Sequence, residues 1–262
     1  MSIWTQKPPL GTQIIVGHPL ARGLVGCWLF NEGGGLYAFD LSGRNNKGTL
    51  TNGPLWYPGR TGLSLSFDGA DDYVSIPDLT SYFSTEATLI MWIKLANNIP
   101  PVAEETGIVY MGNSGFSSHY PYTDGIIYLD VFRNDRVTVG NVGVDKSRWH
   151  LLAITNKPGA NNWKVYQNGI EIYNTTGEDT IMWTGGAGSI GRSLLSYHCL
   201  KGLIDEVRIY NRALRPEEIQ WLYTGPYAMF EQPRRGKWFY VAPPAGGLSI
   251  PVAMNVYRQM RN

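Results

Sequence analysis

The chain of 262 residues is 43% hydrophobic and 16% charged, with 31 glycines, against usual fractions of roughly 25% charged and about 7% glycine. That composition excludes a disordered polymer, and the length suits one large domain. The formal net charge of +1 excludes a surface built throughout for nucleic acid or an acidic polymer, although residues 1–231 hold all 21 acidic and 17 of the 22 basic side chains, leaving residues 232–262 at +5.

Residues 1–20, with Pro8-Pro9 and His18-Pro19, read as an extended arm without the basic-then-apolar layout of a signal peptide. From residue 23 to 210, short apolar or alternating runs bounded by Gly, Pro, Asn and Asp read as strands. The runs fall at 24–30, 63–67, 73–76, 88–94, 108–111, 126–132, 136–139, 149–155, 163–167, 170–173 and 203–210. Many short strands of this kind specify an all-β sandwich, and none reaches the roughly 20 apolar residues of a membrane-spanning helix. Asn168-Gly169 tolerates positive φ and predicts a two-residue hairpin between Trp163–Gln167 and Ile170–Tyr173. One short helix is predicted over Leu214–Tyr223, with Pro216 near its start, Glu217 and Glu218 in its first turn, and Gly225-Pro226 as its stop. A domain over 21–225 is then followed by a basic, aromatic arm over 226–262. Cys27 and Cys199 lack metal-site spacing and read as buried thiols or as one bridge between the first and last core strands.

Several stretches in this order carry a family resemblance: Gly23–Gly33 with Trp28, Asp40–Gly43 with Asn46–Gly48, Leu65–Val74, Thr88–Lys94, Arg148–Ala153, Tyr166–Gly169, Ile190–Arg192 and Gly202–Leu214. Together they resemble the laminin-G-like jelly rolls of the concanavalin A-like lectin and glucanase superfamily, over about residues 21–224. The resemblance implies a two-sheet antiparallel sandwich of about six or seven strands per sheet, with the first and last core strands adjacent. It also implies a structural cation site, whose matching residues are Glu32, Asp40, Asn46 and Asp205; such oxygen ligands suit calcium. Asp40 and Asn46 also read as turn residues bonding their own backbone, and Asp205 as the partner of an arginine such as Arg208 or Arg44.

Glucanases of the same superfamily set their acids on alternate positions of one strand, facing one cleft. The nearest match is Asp205-Glu206, consecutive and expected on opposite sides of the sheet. Asp71-Asp72, Glu104-Glu105, Glu178-Asp179 and Glu217-Glu218 read as turn or helix-start acids, and His18, His119, His150 and His198 have no partner at metal spacing. No nucleophile elbow or phosphate loop is present. No catalytic residue is assigned, and the chain reads as non-enzymatic.

For binding, the loop expected around Phe116–Asp124, with His119, Tyr120 and Tyr122, and Trp183 elsewhere supply aromatic and polar groups suited to sugars. Arg234, Arg235, Lys237, Trp238, Phe239 and Tyr240 read as an arm that docks on a neighbouring protein rather than on nucleic acid. The arms are similar to those of jelly-roll proteins encoded in tailed-phage and environmental viral genomes. This implies a virion protein made in the host cytoplasm, a capsid decoration or tail-associated module of a bacteriophage. Its termini would anchor it to a major capsid or other virion protein and to copies of itself, with the jelly roll free to meet a cell-surface glycan; no membrane partner is expected. The alternatives are a cellular or secreted carbohydrate-binding lectin and a glucanase-like glycoside hydrolase.

Overall fold

Short alternating runs bounded by turn residues become strands in the computed structural model, which describes residues 6–100, 102–112, 116–131, 135–140, 143, 145–158, 163–175, 185–193 and 198–231. The strands are β1 (Leu24–Trp28), β2 (Tyr37–Ala38), β3 (Gly48–Thr51), β4 (Leu55–Pro58), β5 (Leu63–Asp68), β6 (Tyr73–Ile76), β7 (Ala87–Leu95) and β8 (Gly107–Met111). They continue with β9 (Phe116–His119), β10 (Ile127–Val131), β11 (Asp135–Gly140), β12 (His150–Asn156), β13 (Trp163–Gln167), β14 (Ile170–Thr175), β15 (Gly188–Ile190) and β16 (Lys201–Tyr210). One α-helix, α1 (Pro216–Thr224), follows, with Pro216 at its first position and Glu217 and Glu218 in its first turn.

The strands form two antiparallel eight-stranded sheets. Sheet 1 runs β14-β13-β12-β7-β16-β5-β4 with β1 also on β16, and sheet 2 runs β11-β10-β9-β8-β15-β6-β3-β2. The short edge strands β2 and β4 raise the count above the expected six or seven. Lys201–Ile204 of β16 pair with β5 and Val207–Tyr210 with β1, so the first and last core strands are adjacent as expected. The predicted hairpin joins β13 to β14, with φ of 53° at Asn168 and 82° at Gly169. The stretch expected to be a loop from Phe116 begins instead as β9, because Phe116 packs between the sheets and its neighbours pair with β8 and β10.

Core side chains between the sheets include Trp28, Phe67, Met91, Ile93, Ile108, Leu129, Trp163 and Ile209, each worth about 1.5–3 kcal/mol on full burial. The outward face of sheet 1 is also dry over its central strands, although Leu55 and Tyr57 on the β4 edge stay exposed. Ile90, Trp92, Leu151 and Tyr166 meet Ile219 and Leu222 of α1 and, from the chain ends, Leu20, Tyr227, Met229 and Phe230. Ile14 bridges Phe230, and Ile15 N–H donates to Met229 O at 2.9 Å. The packed body therefore extends past both expected boundaries, because these apolar residues complete the cover of sheet 1. Both cysteines are buried thiols outside any disulfide, and burial pushes Cys27 up to about 12 and Cys199 to about 11.

Candidate functional site

With the centre of sheet 1 covered by α1, the outward face of sheet 2 is the broad sheet surface without an α-helix among the described residues. Its registers fall into one row. Tyr37 pairs with Thr49, Thr49 with Ser75, Ser75 with Ser189, and Ser189 with Tyr110. Tyr110 then pairs with Ser117, Ser117 with Asp130, and Asp130 with Arg136. The neighbours Ala38, Leu50, Val74, Ile76, Val109, Phe116, Leu129 and Val137 fill the core, so strand alternation turns the row outward. At about 4.8 Å per strand step the row spans roughly 34 Å. Small buried Ser189 and Ser117 form a floor between the larger Tyr37, Tyr110 and Arg136.

The β9–β11 end of the row holds the densest cluster. Tyr128 lies opposite His119, and its hydroxyl donates to Asp124 Oδ2 at 2.6 Å. The Tyr122 ring stands edge-on to both His119 and Tyr128, each at 5.7 Å. Arg136 donates from Nε to Asp130 Oδ1 at 2.5 Å and from Nη2 to Oδ2 at 3.1 Å, while its guanidinium lies 4.7 Å from the Tyr128 ring centre. His119 Nε2 is 3.2 Å from Asp130 Oδ2, and its Nδ1 is 2.8 Å from Thr106 Oγ1. Burial raises the Asp130 carboxyl, but the hydrogen bonds from His119 and Arg136 outweigh it and hold the group below its ordinary range. At the other end, the Lys47 ammonium lies over Tyr37 and Arg192 over Tyr73, both at 3.6 Å. Aromatic faces beside paired donors and acceptors can stack on a ring and bond hydroxyls.

Of the residues the sequence suggested for binding, His119 and Tyr122 join this cluster. Tyr120 does not: its side chain is fully buried, its hydroxyl accepting from Gln167 Nε2 at 2.6 Å. Trp183 and the arm residues Arg234, Arg235, Lys237, Trp238, Phe239 and Tyr240 lie outside the described residues. Sequence reasoning missed Tyr128, Asp130 and Arg136. Their alternation within two predicted strands was a signal for a shared face, but only the register joins them.

The four suggested cation ligands divide into two groups. Asp40 Oδ1 accepts from the N–H groups of Cys27 and Ser42 at 2.8 Å, and Oδ2 from Ser42 Oγ at 2.7 Å and Asn46 N–H at 2.9 Å. Asn46 Nδ2 donates to Val25 O, and the Asn46 backbone carbonyl accepts from Trp28 Nε1, both at 2.9 Å. This pair braces β1: Asp40 bonds the backbone of its own turn, whereas the Asn46 side chain reaches across to Val25. Asp205 pairs with Lys7 instead of with Arg208 or Arg44: the Lys7 ammonium donates to Asp205 Oδ1 and to Leu63 O. Glu32, with Oε1 accepting from Phe39 N–H at 2.7 Å, also feels the Lys7 charge. Burial, ahead of the neighbouring Glu206 charge, pushes the Asp205 carboxyl upward while Lys7 opposes it.

Asp205 and Glu206 do not face opposite sides. A bulge between Asp205 and Arg208 inserts Glu206 at φ 53°, so both carboxylates turn into the covered layer of sheet 1. There Glu206 accepts from the Tyr227 hydroxyl, and Arg208 lies 3.4 Å from it. The acids close enough to share an ion among the described residues are Asp68, Asp71 and Asp72, within 4.8 Å of one another. None of the described helices is long and apolar enough to cross a membrane.

A family model described as the concanavalin A-like lectin/glucanases superfamily matches residues 68–220. No curated protein sequence matches the chain at a significant level. Among solved structures, domain 4 of an extracellular arabinanase of glycoside hydrolase family 43 from Geobacillus stearothermophilus, in complex with arabinotriose, is 21% identical with a TM-score of 0.59. That match covers 76% of this chain and 98% of the other. The binding domain of botulinum neurotoxin serotype D/C is 12% identical, with a TM-score of 0.63 over 78% of this chain and 52% of that one. Botulinum neurotoxin type C, whose cell entry depends on interaction with two ganglioside molecules, is 16% identical, with a TM-score of 0.60 over 78% and 52%. The chain thus spans about half the length of the toxin structures. At these identities the likeness is one of fold.

Proposed function

The chain belongs to the concanavalin A-like lectin/glucanase superfamily, and from that footing we propose that it is a non-catalytic carbohydrate-binding module whose glycan lies on the outward face of sheet 2. The observation that carries this reading is the cross-strand row from Tyr37 to Arg136, ending in the Tyr122–Tyr128–Asp130–Arg136 cluster. The hydroxyls of Thr49 and Ser75, which are not buried, with a carboxylate and a guanidinium match the donor and acceptor pattern of sugar hydroxyls, and the tyrosine rings offer apolar faces to a pyranose or furanose. The arabinotriose and ganglioside ligands of the structural neighbours support the same ligand class. A non-catalytic role is supported by Asp205 and Glu206, whose carboxylates are spent on Lys7, Arg208 and Tyr227 beneath the terminal layer.

Immobilised plant, bacterial and ganglioside glycans test the proposal. Retention of the protein by at least one class supports it; no retention by any, together with turnover of a soluble glucan, overturns it.

A finer reading places this module on a virion surface. Ile14 and Leu20 pack on their own body, so the anchor in this reading is the basic, aromatic segment 232–262. Co-sedimentation with viral particles, lost when that segment is removed, is the expected result; a free monomer in the native source contradicts it.

A further inference from the structure

We propose that the ammonium of Lys7 is the domain's own structural cation, taking the place that the resemblance gives to a calcium ion. The side chain of Lys7 is 4% exposed and that of Asp205 is fully buried. An ammonium is a compact point charge with three donors, and here two of them reach Asp205 Oδ1 and Leu63 O. A carboxylate and a carbonyl around one positive centre are the oxygen donors a calcium ion would take. Glu32, the second expected ligand, lies within the influence of the same charge. Two further buried oxygens, Glu32 Oε2 and Asp205 Oδ2, have no hydrogen-bond donor.

The seat is shaped for the lysine. A Cβ on Gly59 would stand 2.6 Å from Leu63 O and 2.7 Å from Asp205 Oδ2, so the glycine lets the 59–62 turn close over the pair. Asn31 Nδ2 donates to Pro8 O at 2.8 Å and fixes the residue after Lys7. Asp40 is withdrawn into the β1 brace, both of its carboxylate oxygens already accepting from Cys27, Ser42 and Asn46, and the Asn46 amide is anchored by its Nδ2 on Val25 O. The N-terminal segment is therefore a strap fastened by charge, and the domain needs no divalent ion to neutralise Asp205.

Thermal melting of the full chain tests this, using EDTA, millimolar CaCl2, Lys7→Met and the pair Lys7→Met/Asp205→Asn. The wild-type midpoint is expected to ignore both EDTA and CaCl2. Lys7→Met is expected to lower it by roughly 10 °C, since it strands a buried charge, and adding Asp205→Asn should recover most of that loss. A wild-type midpoint that falls in EDTA, or a Lys7→Met midpoint equal to wild type, overturns the proposal. Should Lys7→Met fail to fold, the double variant decides: folded without metal supports the proposal, and unfolded overturns it.

Discussion

Tyr128 and Asp124 are joined by a 2.6 Å hydrogen bond from the phenol to the carboxylate, which ties the turn after β9 to the outward face of β10. With Tyr122 edge-on at 5.7 Å, the bond holds the Tyr128 ring upright at the end of the row. Asp124→Ala frees that ring. Glycan affinity measured by isothermal titration is expected to fall about threefold to tenfold, the scale of one aromatic contact, while the melting midpoint stays within about 2 °C of wild type, as for other exposed sites.

Asp130 receives hydrogen bonds from His119 and Arg136, which hold its carboxyl below the ordinary aspartate value. Because the folded value lies below the unfolded one, this group adds stability above the unfolded value and loses it as pH falls through the folded one. Carboxyl NMR titration is expected to place Asp130 below the ordinary aspartate value. Arg136→Ala should move its midpoint upward.

Glu218 accepts from Arg215 N–H at 2.9 Å and receives both ends of the Arg212 guanidinium, at 2.8 and 2.7 Å. Burial raises its carboxyl, but these donors together hold it below 4.5. The contribution is complete above that value and is lost as pH falls through the folded one. Glu218→Gln should cost about 1 kcal/mol at neutral pH, with the gap from wild type closing as denaturation is followed into acid.

Gly107 pairs with His119, and a Cβ there would stand 2.0 Å from His198 O and 2.5 Å from Ser193 N. The bare glycine lets the chain that carries His198 close against β8, bringing its ring 5.0 Å from that of His119. Gly107→Ala should destabilise the domain by about 1–3 kcal/mol, the range for forced overpacking, read as a lower denaturation midpoint.

The β13–β14 hairpin and α1 were legible because Asn168-Gly169 and Pro216 are local signals, and the pairing of β1 with β16 only through the family resemblance. The site was legible only in part. His119 and Tyr122 stood out by composition, yet Tyr120 beside them turns inward, and nothing short of the register shows which tyrosine faces out. Lys7 finds Asp205 across 198 positions, a pairing no periodicity encodes. The bulge at Glu206 reverses the alternation on which the opposite-face expectation rested.

The most direct test of the carbohydrate-binding account is isothermal titration of the best-retained glycan into wild type and into Tyr122→Ala/Tyr128→Ala, with circular dichroism to confirm folding. The account predicts wild-type binding and at least a tenfold loss in the folded double variant, the scale of about 1.4 kcal/mol. Equal affinity in the two proteins would contradict it.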